Sequence, residues 1–116
     1  MVFNTGAALL DAVVLAAVSK EEDGTYGYKI TQDVRRAIEI SESTLYPVLR
    51  RLQKDKCLEV YDRECGGRNR RYYKITENGN ARLQESRIEW ETYSANISSI
   101  FSGEENKKKK MNFWQS

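Results

Sequence analysis

The residues of this chain best equipped for chemistry are hydroxyls and cations, gathered in Ser43-Thr44-Leu45-Tyr46-Pro47-Val48-Leu49-Arg50-Arg51-Leu52-Gln53-Lys54-Asp55. At helical spacing Ser43, Pro47, Arg50 and Lys54 share one face, with Arg51 at its edge. Leu45, Val48, Leu49 and Leu52, at i, i+3, i+4 and i+7, share the opposite face. Guanidinium and ammonium groups pair with phosphates or guanine edges, and Ser43 and Thr44 hydroxyls can take either role. A helix anchored by leucines with such a face outward suits a DNA groove. Tyr46 is open to two roles, packing beneath the helix or offering its hydroxyl to a phosphate. A second basic group, Arg68, Asn69, Arg70 and Arg71, follows Gly66-Gly67 and suits phosphate contact.

Other chemistries are excluded by what is missing. The 116 residues contain no histidine and two cysteines, Cys57 and Cys65, so a tetrahedral zinc shell cannot be closed and no nucleophile–base constellation exists. No catalytic residue, metal or cofactor is expected. The length fits one domain. Net charge is only +2, but its distribution is informative. Residues 1–25 hold one Lys/Arg against four Asp/Glu, residues 26–75 twelve against seven, and residues 76–116 six against six. The positive excess therefore lies on the segment carrying the groove-suited helix. No signal-peptide pattern and no apolar run of about 20 residues is present, so a cytoplasmic chain with reduced thiols and no membrane partner is expected.

The elements that must position these residues can be read from periodicity. A first helix is expected from Thr5 to Ser19, capped by Asn4 or Thr5, with Leu9, Leu10, Val13, Val14, Ala17 and Val18 on its apolar face. Tyr26-Gly27-Tyr28-Lys29-Ile30 opens a second helix to about Ala37, anchored by Tyr28, Ile30, Val34 and Ile38, with Gly27 signalling close backbone packing. Ser41 is the expected N-cap of the third helix, whose start Pro47 should distort. Leu58–Arg63 and Arg70–Ile75 read as strands joined through a Gly-Gly hairpin. Thr76 caps a fourth helix from Glu77 to about Ser102, ended by Gly103. The expected fold is mainly α with a two-stranded β wing: a winged helix-turn-helix over residues 1–76, a helix over 77–102, and a basic, disordered tail over 103–116.

Three motifs then stand in order: Tyr26-Gly27-Tyr28-Lys29-Ile30, Ser43-Thr44-Leu45-Tyr46-Pro47-Val48-Leu49-Arg50-Arg51-Leu52, and Gly67-Arg68-Asn69-Arg70-Arg71-Tyr72-Tyr73-Lys74-Ile75-Thr76-Glu77-Asn78-Gly79. Together they resemble the PadR family of transcriptional regulators, and the single long C-terminal helix resembles its short-chain subgroup. The resemblance implies a homodimeric repressor of stress, efflux or detoxification genes that binds a pseudo-palindromic double-stranded operator. It places the third helix in the major groove, the wing on the backbone or minor groove, and the fourth helix against the partner protomer. One departure is Lys56, which stands where the family has glycine after the third helix. Either that turn is built differently, or Lys56 bears a left-handed conformation costing roughly 1–2 kcal/mol.

The fourth helix supports dimerisation independently. Leu83, Trp90 and Ile97 recur at one heptad position and Tyr93 and Ile100 at another, with Phe101 widening the stripe. Left exposed, each would forgo about 1.5–3 kcal/mol of burial. The resemblance further implies a small aromatic or hydrophobic effector between protomers near Trp90, with Leu9 and Val13 as its expected neighbours. Packing and stacking on a flat guest are compatible roles for Trp90. The rival is a winged helix used for protein–protein contact without DNA, whose binding would show little salt dependence.

Overall fold

A computed structural model of the chain describes residues 6–103. The expected caps Asn4 and Thr5, and the tail beyond Gly103, lie outside the described residues. The element order is α1 (Ala7–Ser19), β1 (Thr25–Tyr26), α2 (Gly27–Val34), α3 (Glu42–Lys54), β2 (Leu58–Cys65), β3 (Arg68–Ile75) and α4 (Glu77–Ser102). It is a mainly helical fold with an antiparallel sheet ordered β1-β3-β2. The strand β1 was not expected. Thr25 pairs with Tyr73 and Tyr26 with Tyr72, so the wing gains a third strand that includes Tyr26, expected to open the second helix.

The core is built on the inward face of α3. Leu45, Val48, Leu49 and Leu52 are all buried, against Val14, Leu15, Ala17 and Val18 of α1 and Ile30 and Val34 of α2. Leu15, absent from the expected apolar face of α1, is fully buried, while Leu9, Leu10 and Val13 are only partly covered. In α2 the inward positions are Gly27, Ile30, Thr31 and Val34, which recur at i, i+3, i+4 and i+7. Tyr28 lies off that face and is exposed, so it is not the anchor expected. The helix also ends sooner than expected, at Val34, where turns take over and Arg35 Nε donates to the Ile40 carbonyl at 2.7 Å.

α3 starts at Glu42 and runs unbroken through Pro47. No break marks the expected distortion: Ser41 caps the first turn, accepting from the Thr44 N–H, and the bond that Pro47 cannot make falls on Ser43, an exposed residue. The helix exits through a left-handed residue. Lys56 has φ of 65°, the one positive φ outside glycine among the described residues. Its N–H donates to the Gln53 carbonyl at 2.9 Å and that of Cys57 to Leu52 at 2.8 Å, the paired bonds of a Schellman motif. The turn is therefore built as glycine would build it, and Lys56 carries the strain.

The start of α4 holds this corner. Thr76 Oγ1 donates to the Lys56 carbonyl at 2.6 Å and accepts from the Gly79 N–H at 3.0 Å, so one hydroxyl caps α4 and closes the α3 exit. Asn78 Nδ2 donates to the Asp55 carbonyl at 3.2 Å, and Arg82 pairs with the Asp55 carboxylate at 3.3 Å. Gly79 lets the helix cross the Cys57 carbonyl, which would lie 2.2 Å from any added Cβ. Beyond the corner, β2 and β3 run further than expected, up to Gly66 and Gly67, whose φ of 59° and 81° fit a two-residue primed turn.

Lys56→Gly removes the Cβ strain while loosening the unfolded chain, so a net gain of about 0.5–1 kcal/mol is expected. Urea unfolding followed by circular dichroism checks it; an unchanged or lowered midpoint would mean the turn favours lysine.

Candidate nucleic-acid interface

Because the leucines of α3 are locked in the core, its rotation is fixed and the opposite face must meet solvent. Ser43, Thr44, Pro47, Arg50 and Lys54 are all exposed. Ser43 Oγ lies 2.9 Å from the capping Ser41 Oγ, which sets the hydroxyls at the helix entry side by side. Arg50 and Lys54 have no carboxylate partner among the described residues. Arg51 differs: its guanidinium pairs with the Asp11 carboxylate of α1.

Tyr46 takes the packing role of the two expected for it. Its hydroxyl end lies against Gly27, where an added Cβ would come within 2.7 Å, so the ring docks on the first turn of α2. It nevertheless stays partly exposed and lines a cleft of about 610 Å³ between α3, the start of α2 and β3. Arg50 and Gln53 line the cleft from α3, Arg68, Arg70 and Arg71 from β3, and Glu42 is the one acid on its wall. Burial pushes the Tyr73 hydroxyl at the cleft floor above its ordinary pKa, while the guanidinium of Arg71, and more weakly that of Arg50, pull against the shift. Both cations line this one cleft from different elements.

The wing carries more cation than the sequence suggested. Arg68, Asn69, Arg70 and Arg71 are exposed, and all four sit in β3, which takes in Arg68 and Asn69 as well as the expected Arg70 and Arg71. Directly across the hairpin from Arg70 lies Arg63 of β2, on the same sheet face. Like charges placed opposite one another destabilise a ladder. Here aromatic faces offset that cost: Arg63 lies 5.0 Å from the Tyr72 ring centre and Arg70 4.3 Å from that of Tyr26. Tyr72 in turn packs with Tyr26 at 5.5 Å and Tyr61 at 5.8 Å. Arg63 was missed because β2 was ended at that residue. Counting back from a two-residue Gly66-Gly67 turn pairs residue 65 with 68 and 63 with 70, which would have found it.

A second concave site lies on the far side of α1. Leu9 and Val13 of α1, Ile38, and Leu83, Arg87 and Trp90 of α4 border a mostly apolar cleft of about 420 Å³. The three residues expected at an effector pocket are thus adjacent. Leu83 needs correction as an interface residue: at 2% exposed, it is packed into the core of the chain itself. The reason is that the first turns of α4 lie on α1 and use their apolar positions there. Further along, Trp90 is partly exposed and 6.1 Å from Tyr93, Ile97 is half-buried, and Ile88, Ile100 and Phe101 are exposed, Phe101 by 87%. Among the described residues no group of acids and thiols could hold a metal, and no helix is long and apolar enough to cross a membrane.

Comparison with known proteins agrees with this arrangement. Residues 14–85 match the model of the transcriptional regulator PadR-like family. The crystal structure of smu.1704 from Streptococcus mutans UA159 is 39% identical, with a TM-score of 0.77 over 89% of this chain and 95% of that one. A PadR-like transcriptional regulator, BC4206, from Bacillus cereus is 28% identical, with a TM-score of 0.74 over 84% of this chain and 95% of its own. The transcriptional regulator Rv3488 of Mycobacterium tuberculosis is 39% identical over 67 residues, 57% of this chain and 63% of that protein. The matched segment spans the core of α1, the exposed cations of α3, the wing and the corner that α4 closes. This chain belongs to the PadR-like family of transcriptional regulators, which is not a family of enzymes.

Proposed function

We propose that this DNA-binding regulator acts as a cytoplasmic, homodimeric repressor that reads a pseudo-palindromic operator and is released by a small aromatic or hydrophobic molecule. The observation that carries the DNA contacts is the convergence of cations without carboxylate partners, Arg50 from α3 and Arg68 and Arg70 from the wing, on one cleft, with Lys54 exposed one turn beyond Arg50 on α3. In this reading α3 enters the major groove, with Ser43, Thr44, Arg50 and Lys54 toward bases and phosphates. Arg63, Arg68, Asn69, Arg70 and Arg71 take the adjoining backbone, and Tyr46 holds the angle between α3 and α2 while offering an edge to a phosphate. Arg51 joins the contact only by leaving Asp11.

Dimerisation is supported by the apolar surface of α4 beyond Trp90. Tyr93, Ile97, Ile100 and Phe101 present more apolar surface along one helix face than a lone protomer leaves wet, and pairing with a second copy would cover it. At about 1.5 Å per residue α4 is about 39 Å long, enough to carry a partner clear of the core. Two copies of α3 held by that pairing would meet half-sites one DNA turn apart or a multiple of it. The α1–α4 cleft beside Trp90 supports an effector site, since an occupant there touches both the dimerising helix and the recognition domain. An effector that fits one protomer spacing better than the other would shift the population away from the operator-binding state.

Three outcomes are expected. Arg50→Ala with Lys54→Ala weakens operator binding and lowers the slope of log affinity against log salt by about 0.9 for each lost phosphate contact, read by gel shift at several salt concentrations. Unchanged affinity would remove α3 from the interface, and a wild type without salt dependence would favour the protein-contact rival. Ile100→Glu with Phe101→Glu yields monomers in sedimentation velocity while the helical circular dichroism is kept; a persisting dimer would place the interface elsewhere. Trp90→Ala abolishes saturable binding of planar aromatic dyes measured by dye fluorescence, and equal binding by wild type and variant would move the pocket.

A further inference from the structure

Arg51 stands apart from the other cations of α3. Tyr46, Arg50 and Gln53 lie on the flank that faces the wing cleft. Arg51 lies on the other flank, toward α1, and its guanidinium donates to the Asp11 carboxylate. The two partners are unequally covered: the Arg51 side chain is 44% exposed and that of Asp11 is 18% exposed. The guanidinium is therefore free to swing into solvent, whereas the carboxylate is held in place by the helix that carries it.

A helix seated in a major groove has a phosphate backbone along each flank. On the wing side those phosphates meet Arg68, Arg70 and Arg71. On the other side the available cation is Arg51, and a carboxylate already occupies the position beside it that a phosphate oxygen would take. We propose that Asp11 is a positioning residue that withholds Arg51 from DNA phosphates, so that Arg51 engages the backbone only by giving up an intramolecular partner of the same charge and geometry. The inference rests on the reading of α3 as the groove-entering helix. An ion pair this exposed shifts an equilibrium by a factor of only about two to five. Asp11 thus reduces the contribution of one phosphate contact without abolishing it. The reduction is independent of DNA sequence, because phosphates carry no sequence information.

The test uses the full chain, a fluorescently labelled random-sequence duplex, and binding isotherms between about 50 and 200 mM salt. Asp11→Asn is expected to tighten binding about two- to fivefold and to steepen the log–log salt slope by at most about 0.9, the limit set by one phosphate contact. Asp11→Ser should do the same, which guards against a local effect of the amide. Asp11→Glu, which keeps the carboxylate, should restore wild-type affinity. The decisive arm is Arg51→Ala: in that background Asp11→Asn should no longer change affinity. A gain that persists without Arg51 would show that Asp11 acts by its own charge and overturn the proposal, as would unchanged or weakened binding of Asp11→Asn. If the wild type binds no duplex at any salt, the DNA reading of α3 fails first and this inference falls with it.

Discussion

Burial of one face of α3 is the constraint on which the rest of the molecule depends. Leu45, Val48, Leu49 and Leu52 sink into a core shared by α1, α2 and the sheet, each worth about 1.5–3 kcal/mol relative to exposure. Four buried side chains spaced over two turns leave the helix no rotational freedom. Ser43, Pro47, Arg50 and Lys54 must then face outward. The same burial stations α1 behind α3, which puts Asp11 within reach of Arg51, and turns Leu9 and Val13 toward α4. One helix, α1, thereby both backs α3 and lines the apolar cleft beside Trp90.

Rotation alone does not aim a helix; its tilt against the wing is set at the α3–β2 corner. There Lys56 adopts a left-handed conformation that glycine would adopt freely, and several contacts from α4 hold it. Thr76 reaches the Lys56 carbonyl, Asn78 the Asp55 carbonyl and Arg82 the Asp55 carboxylate. The Ile75-Thr76-Glu77-Asn78-Gly79 segment thus has a physical role beyond starting a helix. It couples the direction of α4, where a partner would pair, to the exit of α3, where DNA would be read. A change in the angle of α4 therefore has a short mechanical path to the recognition surface.

The wing shows how a strongly cationic hairpin can be built with few acidic partners: Asp62 meets Arg71 at 3.9 Å, while Arg63 and Arg70 lie on aromatic rings. Arg63 and Arg70 face each other across the ladder, a juxtaposition that costs stability by itself. Tyr72 and Tyr26 supply the compensating surface, and Tyr61 completes the aromatic layer beneath them. This explains the density of tyrosine in the motif around Tyr72-Tyr73. Tyr73 faces the core, whereas Tyr72 holds guanidinium groups poised on the outer face.

Much of this was determined by sequence alone. The 3.6-residue spacing of the α3 leucines, Ser41 and Thr76 as caps, the Gly66-Gly67 turn and Gly103 at the end of α4 are local signals, and local backbone and periodicity rules read them correctly. Lys56 is singled out through the family resemblance alone, because it stands where the family has glycine, and a lysine by itself gives no signal of positive φ. Tertiary structure decided what depends on partners distant in sequence. The two-residue strand β1 exists only because β3 offers it an edge. Tyr28 is left outside because Gly27, Ile30 and Val34 claim the inward face of α2. Leu83 fits a heptad stripe by spacing, yet the core behind α1 takes it first. Arg51 looks like its neighbour Arg50 in the sequence, and only the packing of α1 against α3, forty residues apart, gives it Asp11 as a partner.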